Sequence, residues 1–154
     1  MAYDEIIQSA AKQYQIDPDL IRAIISVESN WDPNAYRAEP RISDASYGLM
    51  QLLLSTARSV SGNPSLTTNQ LIDPTLNISL GSQYLRTLHN RHGNLTDAIA
   101  SYNAGSPIKS SDGQYVNQKY VDKVKLAYMY YQYKYMGLAG LVLVGGIAFY
   151  LTKR

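Results

Sequence analysis

Apolar residues recur along most of the chain at the three- and four-residue spacing of helices. Asp4 to about Gln13 carries Ile6, Ile7, Ala10 and Ala11 on one stripe. In the next segment, IDPDLIRAIISVESN, Asp17 is placed to cap a helix, Pro18 to fill its first position and Asp19 to lie in its first turn. Leu20, Ile21, Ile24, Ile25 and Val27 then form a broad apolar face, which predicts a core helix ending before Trp31-Asp32-Pro33. Residues 31–46 lack a period and hold Pro33 and Pro40, so a loop is expected there. A helix is expected to begin near Ser46 or Tyr47 and to run through GLMQLLLSTARSV, stopping before Ser61. Asp73 and Pro74 repeat the start signal for a helix that closes at Gly93, and Asn94 caps a shorter one stopped by Gly105. After a polar loop the helical pattern resumes near Tyr115. Alternating strand patterns of useful length are missing, and the expected fold class is all-α.

The pattern changes after Lys134. Tyr135 to Thr152 runs 18 residues without a charge, bracketed by Lys134 and by the Lys153-Arg154 pair. As a helix this segment would be about 27 Å long, close to the hydrocarbon thickness of a bilayer. Gly137, Gly140, Gly145 and Gly146 disfavour a water-exposed helix and are common in membrane spans, and Tyr135 and Tyr150 would lie at the two interfaces. The expected organisation is a compact domain over 1–133 and a membrane-spanning helix with a short basic tip over 134–154, meeting the lipid bilayer through residues 135–152. The amino-terminal stretch has Asp4 and Glu5 and no apolar run of signal-peptide length, and it reads as the start of a folded helix.

Charge removes one class of partner. The 154 residues carry a net charge of +2, but residues 1–134 hold 12 acidic and 12 basic side chains, so the excess comes from Lys153 and Arg154 alone. A charge-balanced domain is not built to hold nucleic acid by its phosphates, and no nucleic-acid partner is expected. The absence of cysteine excludes a disulfide framework and any thiolate-ligated metal. His89 and His92 stand three apart with no third ligand nearby, and phosphate-loop and dinucleotide fingerprints are absent. Neither a metal nor a cofactor is expected.

Among the twelve acids, Glu28 is placed oddly. It follows Ile24 by four and Ile25 by three, beside the apolar face and near the carboxy-terminal end of its helix. Partial desolvation and the negative end of the helix dipole both raise a carboxyl pKa toward the range of a general acid. Spacing alone favours a helix-end surface acid or a salt-bridged acid, and the functional reading needs further support. Gly48-Leu49-Met50-Gln51, at the predicted helix start, reads either as core and cap or as a site. Tyr102-Asn103 reads as an ordinary helix end or an exposed polar pair, and Tyr120 belongs to a run of tyrosines that fits a membrane-proximal belt.

Taken in order, Glu28-Ser29, Gly48-Leu49-Met50-Gln51, Ala100-Ser101-Tyr102-Asn103-Ala104-Gly105, and Tyr120-Val121 with Val124 resemble the motifs of the lysozyme-like lytic transglycosylase catalytic domain, the SLT domain. The resemblance covers roughly residues 15–133. It implies an α-helical, goose-lysozyme-like fold with a groove for peptidoglycan glycan strands and Glu28 as the sole catalytic carboxylate. Gln51, Tyr102, Asn103 and Tyr120 would line the cleft, and Met50, Ser29 and Ser46 join them as substrate-binding candidates. The family cleaves the β-1,4 bond between N-acetylmuramic acid and N-acetylglucosamine without water, leaving a 1,6-anhydromuramoyl end.

The chain departs from that pattern in places. The link between the first two motifs is like that of a branch with an Arg-containing, Glu-Pro-bearing loop, which makes Arg37, Glu39 and Ser46 cleft neighbours. Ser101 replaces the usual alanine, and Asn117 stands where a threonine often precedes the late tyrosine by three. Two alternatives stay open: a hydrolase using Asp32, Glu39 or Asp44 as a second acid, and a noncatalytic glycan-binding membrane scaffold. The missing export signal and family habit point to a virus-encoded enzyme that opens the wall locally. It would be held in a virion membrane or a bacterial host inner membrane, with neighbouring virion or membrane proteins as further partners.

Overall fold

The computed structural model describes residues 3–135. Helices α1 (Asp4–Tyr14) and α2 (Pro18–Glu28) lead into a small antiparallel sheet of β1 (Tyr36–Glu39), β2 (Asp44–Tyr47) and β3 (Leu52–Leu53). Helices α3 (Leu54–Ser61), α4 (Thr68–Leu71), α5 (Pro74–His92), α6 (Leu95–Ala104) and α7 (Gln118–Tyr135) follow.

Local chemistry sets several helix ends. The Asp17 side chain accepts from the Asp19 N–H at 2.8 Å, Asp73 from Leu76 at 3.0 Å and Asn94 from Asp97 at 2.8 Å, each satisfying an N–H that has no partner inside its helix. Gly93 and Gly105 end α5 and α6 at φ of 71° and 77°, a conformation that a residue with a Cβ resists. The apolar stripes meet in one core. Ile21, Ile24 and Ile25 of α2 pack with Val121 and Val124 of α7, and Ile7 of α1 packs with Ile78, Leu85 and Leu88 of α5, all of them fully buried. Each such burial contributes about 1.5–3 kcal/mol. Arg22, 1 % exposed, is enclosed between α1 and α2 by Asp4 and by Asp19 at 2.7 Å, so its charge is paired inside the fold.

The domain is mostly helical, but it is not all-α. Residues 36–47 form a hairpin in which Tyr36 pairs with Tyr47, Arg37 with Ser46 and Glu39 with Asp44, where a loop was expected. Its strands are four residues long and their stability comes from pairing, which leaves little alternation to read. The helix expected from Ser46 or Tyr47 begins at Leu54. Gly48-Leu49-Met50-Gln51 is instead the turn joining β2 to β3, with φ of 72° at Gly48 and 46° at Gln51, and neither value belongs to a right-handed helix. The short α4, held by a Thr67–Gln70 capping box, was also unforeseen. Among the described residues no helix is long and apolar enough to cross a membrane. Apart from Tyr135, the predicted span over 135–152 lies outside them.

Candidate active site

The end of α2, the hairpin, the turn after β2 and the end of α6 surround a cleft of about 510 Å³. Glu28, Arg37, Ser46, Gln51, Tyr102 and Asn103 line it, so residues separated by 75 positions converge on one cavity. Tyr84 of α5 lines it too, its ring centroid 5.4 Å from that of Tyr102.

The turn at 48–51 is braced from beneath. Asn77, fully buried on α5, accepts from the Met50 N–H at 2.8 Å and donates to the carbonyls of Tyr47 at 2.9 Å and Leu71 at 3.0 Å. A Cβ on Gly48 would stand 2.6 Å from Asn77 Nδ2, which leaves room only for glycine. The Met50 side chain packs against Gly81 so closely that a Cβ there would fall 2.4 Å from its Sδ. On the cleft side, the Tyr102 hydroxyl donates to the Met50 carbonyl at 2.9 Å. Gln51 Nε2 donates to the carbonyls of Ala35 and Gly48, both at 3.0 Å, tying the turn to the start of the hairpin.

Glu28 sits at the carboxy-terminal end of α2, part-buried and open to the cleft. Burial raises its pKa to about 7, while the hydrogen bond from Tyr120 and the positive field of Arg37 hold it back. The Tyr120 hydroxyl donates to Glu28 Oε1 at 2.7 Å. Burial, and after it the Glu28 charge, pushes the Tyr120 and Tyr102 phenols well above their ordinary range, so both stay protonated donors. A carboxyl poised near neutrality can release and recover a proton in one cycle.

The other candidates divide. Ser46, 2 % exposed, lines the cleft, as do Arg37 and Glu39, whose Nε and Oε1 are 2.6 Å apart. Asn103 is exposed at the cleft and bonded to Asn117 at 3.0 Å. Met50 is fully buried, and its backbone, not its side chain, serves the site through Asn77 and Tyr102. Ser29 caps α2 and donates its hydroxyl to the Ile25 carbonyl at 3.1 Å, outside the cleft lining. Asp32 is exposed and accepts from the Asn34 N–H at 2.9 Å. Asp44 accepts from the N–H groups of Ala45 at 2.7 Å and Ser55 at 3.1 Å, bonds that hold its pKa low against the effect of burial. Asn77 and Tyr84 were not foreseen. The available signal was an asparagine on the stripe formed with Gly81, Tyr84 and Leu88, where only apolar or small residues belong. Among the described residues no group of three or more His, Asp or Glu could hold a metal ion. His92 instead lies 3.0 Å from the Ser101 hydroxyl.

Residues 5–125 match the transglycosylase SLT domain. The chain belongs to that family. Its fold is similar to an inactive glutamate-to-glutamine mutant of the lytic transglycosylase Slt from Pseudomonas aeruginosa, with 28% identity and a TM-score of 0.70 over 90% of this chain. It is also similar to the 70-kDa soluble lytic transglycosylase from Escherichia coli, with 26% identity and a TM-score of 0.69 over 88% of this chain. A complex of the 70-kDa soluble lytic transglycosylase with bulgecin A matches at 26% identity and a TM-score of 0.68, again over 88% of this chain. This SLT-family chain spans only 25% of each of those proteins.

Proposed function

We propose that this chain is a peptidoglycan lytic transglycosylase that cleaves the β-1,4 bond between N-acetylmuramic acid and N-acetylglucosamine. The carrying observation is the Glu28 carboxyl, raised to a pKa of about 7 in the cleft and hydrogen-bonded by Tyr120. Neutral Glu28 protonates the glycosidic oxygen as the bond to the muramic anomeric carbon breaks and positive charge develops there. The resulting carboxylate takes the proton of the same sugar's 6-hydroxyl, whose oxygen closes on the anomeric carbon to form the 1,6-anhydro ring. Glu28 ends protonated and no water is consumed. Gln51, Tyr102, Asn103, Tyr120 and Ser46 serve as the substrate-binding residues of this scheme, Tyr120 through its hydrogen bond to Glu28, with Met50 and Ser29 supporting the chain around them.

One observation favours a second reading. Glu39 also lines the cleft, so a hydrolase with Glu28 as acid and Glu39 as base fits the same cavity. Against it, Glu39 is paired to Arg37 at 2.6 Å, an ion pair that suits a wall residue better than a base. Digestion of purified peptidoglycan followed by mass analysis of the ends separates the two. Anhydromuramoyl ends that persist in Glu39→Gln are expected; reducing muramic ends that disappear in that variant would establish the hydrolase instead.

The domain assignment belongs to the same proposal: residues 1–133 form the transglycosylase unit, and residues 134–154 anchor it in a virion membrane or a bacterial inner membrane. The uncharged run from Tyr135 to Thr152 supports this. The full chain is expected to stay with lipid vesicles through an alkaline wash, and its release into the supernatant would remove the anchor.

A further inference from the structure

Helix α7 buries one face and leaves the opposite one uncovered. Val121, Val124, Ala127 and Tyr131 enter the core, and the Tyr120 hydroxyl reaches Glu28 from that same side. Leu126, Met129 and Tyr133, all exposed and spaced by three and four, form an apolar stripe along the outer side. By the same spacing Lys119 and Lys123 flank the stripe on one side and Lys125 on the other, and all three are exposed. Near its end the Lys134 ammonium lies 5.7 Å from the centre of the Tyr130 ring. The helix thus sets four lysines against a single acid, Asp122, which accepts from Gln118 Nε2 at 2.8 Å. Apolar side chains held between lysines suit a surface that is negative at its top and apolar beneath. Nucleic acid has nothing to offer Leu126 and Met129, and a second copy of α7 would bring lysines toward lysines. The same helix leads in sequence into the uncharged run from Tyr135 to Thr152, so a bilayer that takes up this run lies at its end.

We propose that the outer face of α7 is a docking surface for an anionic lipid bilayer, with Leu126, Met129 and Tyr133 entering the interface and Lys119, Lys123 and Lys125 meeting lipid phosphates. For its choice of partner the inference rests on the reading of residues 134–154 as membrane-bound, and it adds a contact made by the folded domain itself. Tyr120 and Glu28 lie across α7 from the stripe, so docking on this face turns the Glu28 side of the helix away from the lipid. The face therefore sets the orientation of the domain on the membrane as well as adding to its hold.

The chain has no cysteine, so Met129→Cys gives a single site for an apolar fluorophore, and Ser65→Cys, exposed between α3 and α4, gives a reference. Each labelled full chain is added to vesicles of phosphatidylcholine, with or without phosphatidylglycerol, whose acyl chains carry bromine close to the headgroup as a quencher. Quenching at position 129 is expected with phosphatidylglycerol, and little is expected in phosphatidylcholine alone or at position 65. Lys119→Gln, Lys123→Gln and Lys125→Gln together, in the Met129→Cys background, are expected to lower the ratio of docked to undocked chain by about 10²-fold, close to fivefold for each lysine. High salt is expected to act in the same direction. Equal quenching in the two lipids, or a ratio unmoved by the lysine replacements, would overturn the proposal. So would probe-to-probe contact at position 129 whatever the lipid, since a second copy would then cover the stripe. Retention through an alkaline wash with no quenching at position 129 would remove the docking face and leave the anchor. Release by the wash after quenching that depended on phosphatidylglycerol would remove the anchor and leave the docking face.

Discussion

Glu28→Gln is expected to lower the turnover of peptidoglycan by about 10³-fold or more, because one group performs both proton transfers and each contributes on the order of 10²–10⁴. Glutamine keeps the size of the side chain and can still meet the Tyr120 hydroxyl at its carbonyl, so the cleft stays formed. The same substitution has a second signature in stability. In the folded chain Glu28 holds its proton up to a pH of about 7, whereas the ordinary value is 4.5. Between these values the folded state binds more protons than the unfolded one, so stability falls as pH rises through this window and stays lower above it. The full shift is worth up to about 3 kcal/mol, and the partial exposure of the side chain reduces this to roughly 1–2 kcal/mol. Glu28→Gln removes that burden. Denaturant unfolding is expected to find the variant more stable than the wild type at pH 8 and nearly equal to it at pH 4. A variant that loses activity but gains nothing at pH 8 would show that the carboxyl is not held neutral by burial.

The second large effect belongs to Asn77. Asn77→Ala strips partners from the Met50 N–H and from the carbonyls of Tyr47 and Leu71 at once, beneath a turn with little water access. At about 1–3 kcal/mol for each buried polar group left unmade, discounted for what relaxation recovers, the expected destabilisation is roughly 3–5 kcal/mol. Activity should fall as well at temperatures where the variant is folded, since the Met50 carbonyl holds the Tyr102 hydroxyl and the turn carries Gln51 into the cleft. Unfolding curves and turnover measured on the same preparation check both parts. A loss below about 1 kcal/mol would mean that the three bonds are replaced by others and do not brace the turn.

What was legible in the sequence was local. Asp17, Asp73 and Asn94 start their helices, and Gly93 and Gly105 end theirs, because each cap is a bond or a backbone angle within a few residues. Glu28 was legible for a related reason: its position beside Ile24 and Ile25 at a helix end already implied desolvation. The hairpin was not, because Tyr36–Glu39 is a strand only by virtue of its pairing with Asp44–Tyr47. Leu49, Met50, Leu52 and Leu53 imitate a helical stripe, and the positive φ at Gln51 that breaks it has no mark in a residue type. Asn77 acts through a contact across 27 positions, so its role appears only when α5 is packed against the cleft.

Digestion in water enriched in oxygen-18 tests the single-carboxylate account most directly. Ring closure by the sugar's own 6-hydroxyl predicts anhydromuramoyl ends carrying no heavy oxygen, formed by the wild type and lost in Glu28→Gln. Reducing muramic ends labelled with one oxygen-18 atom would contradict it, since water would then have attacked the anomeric carbon.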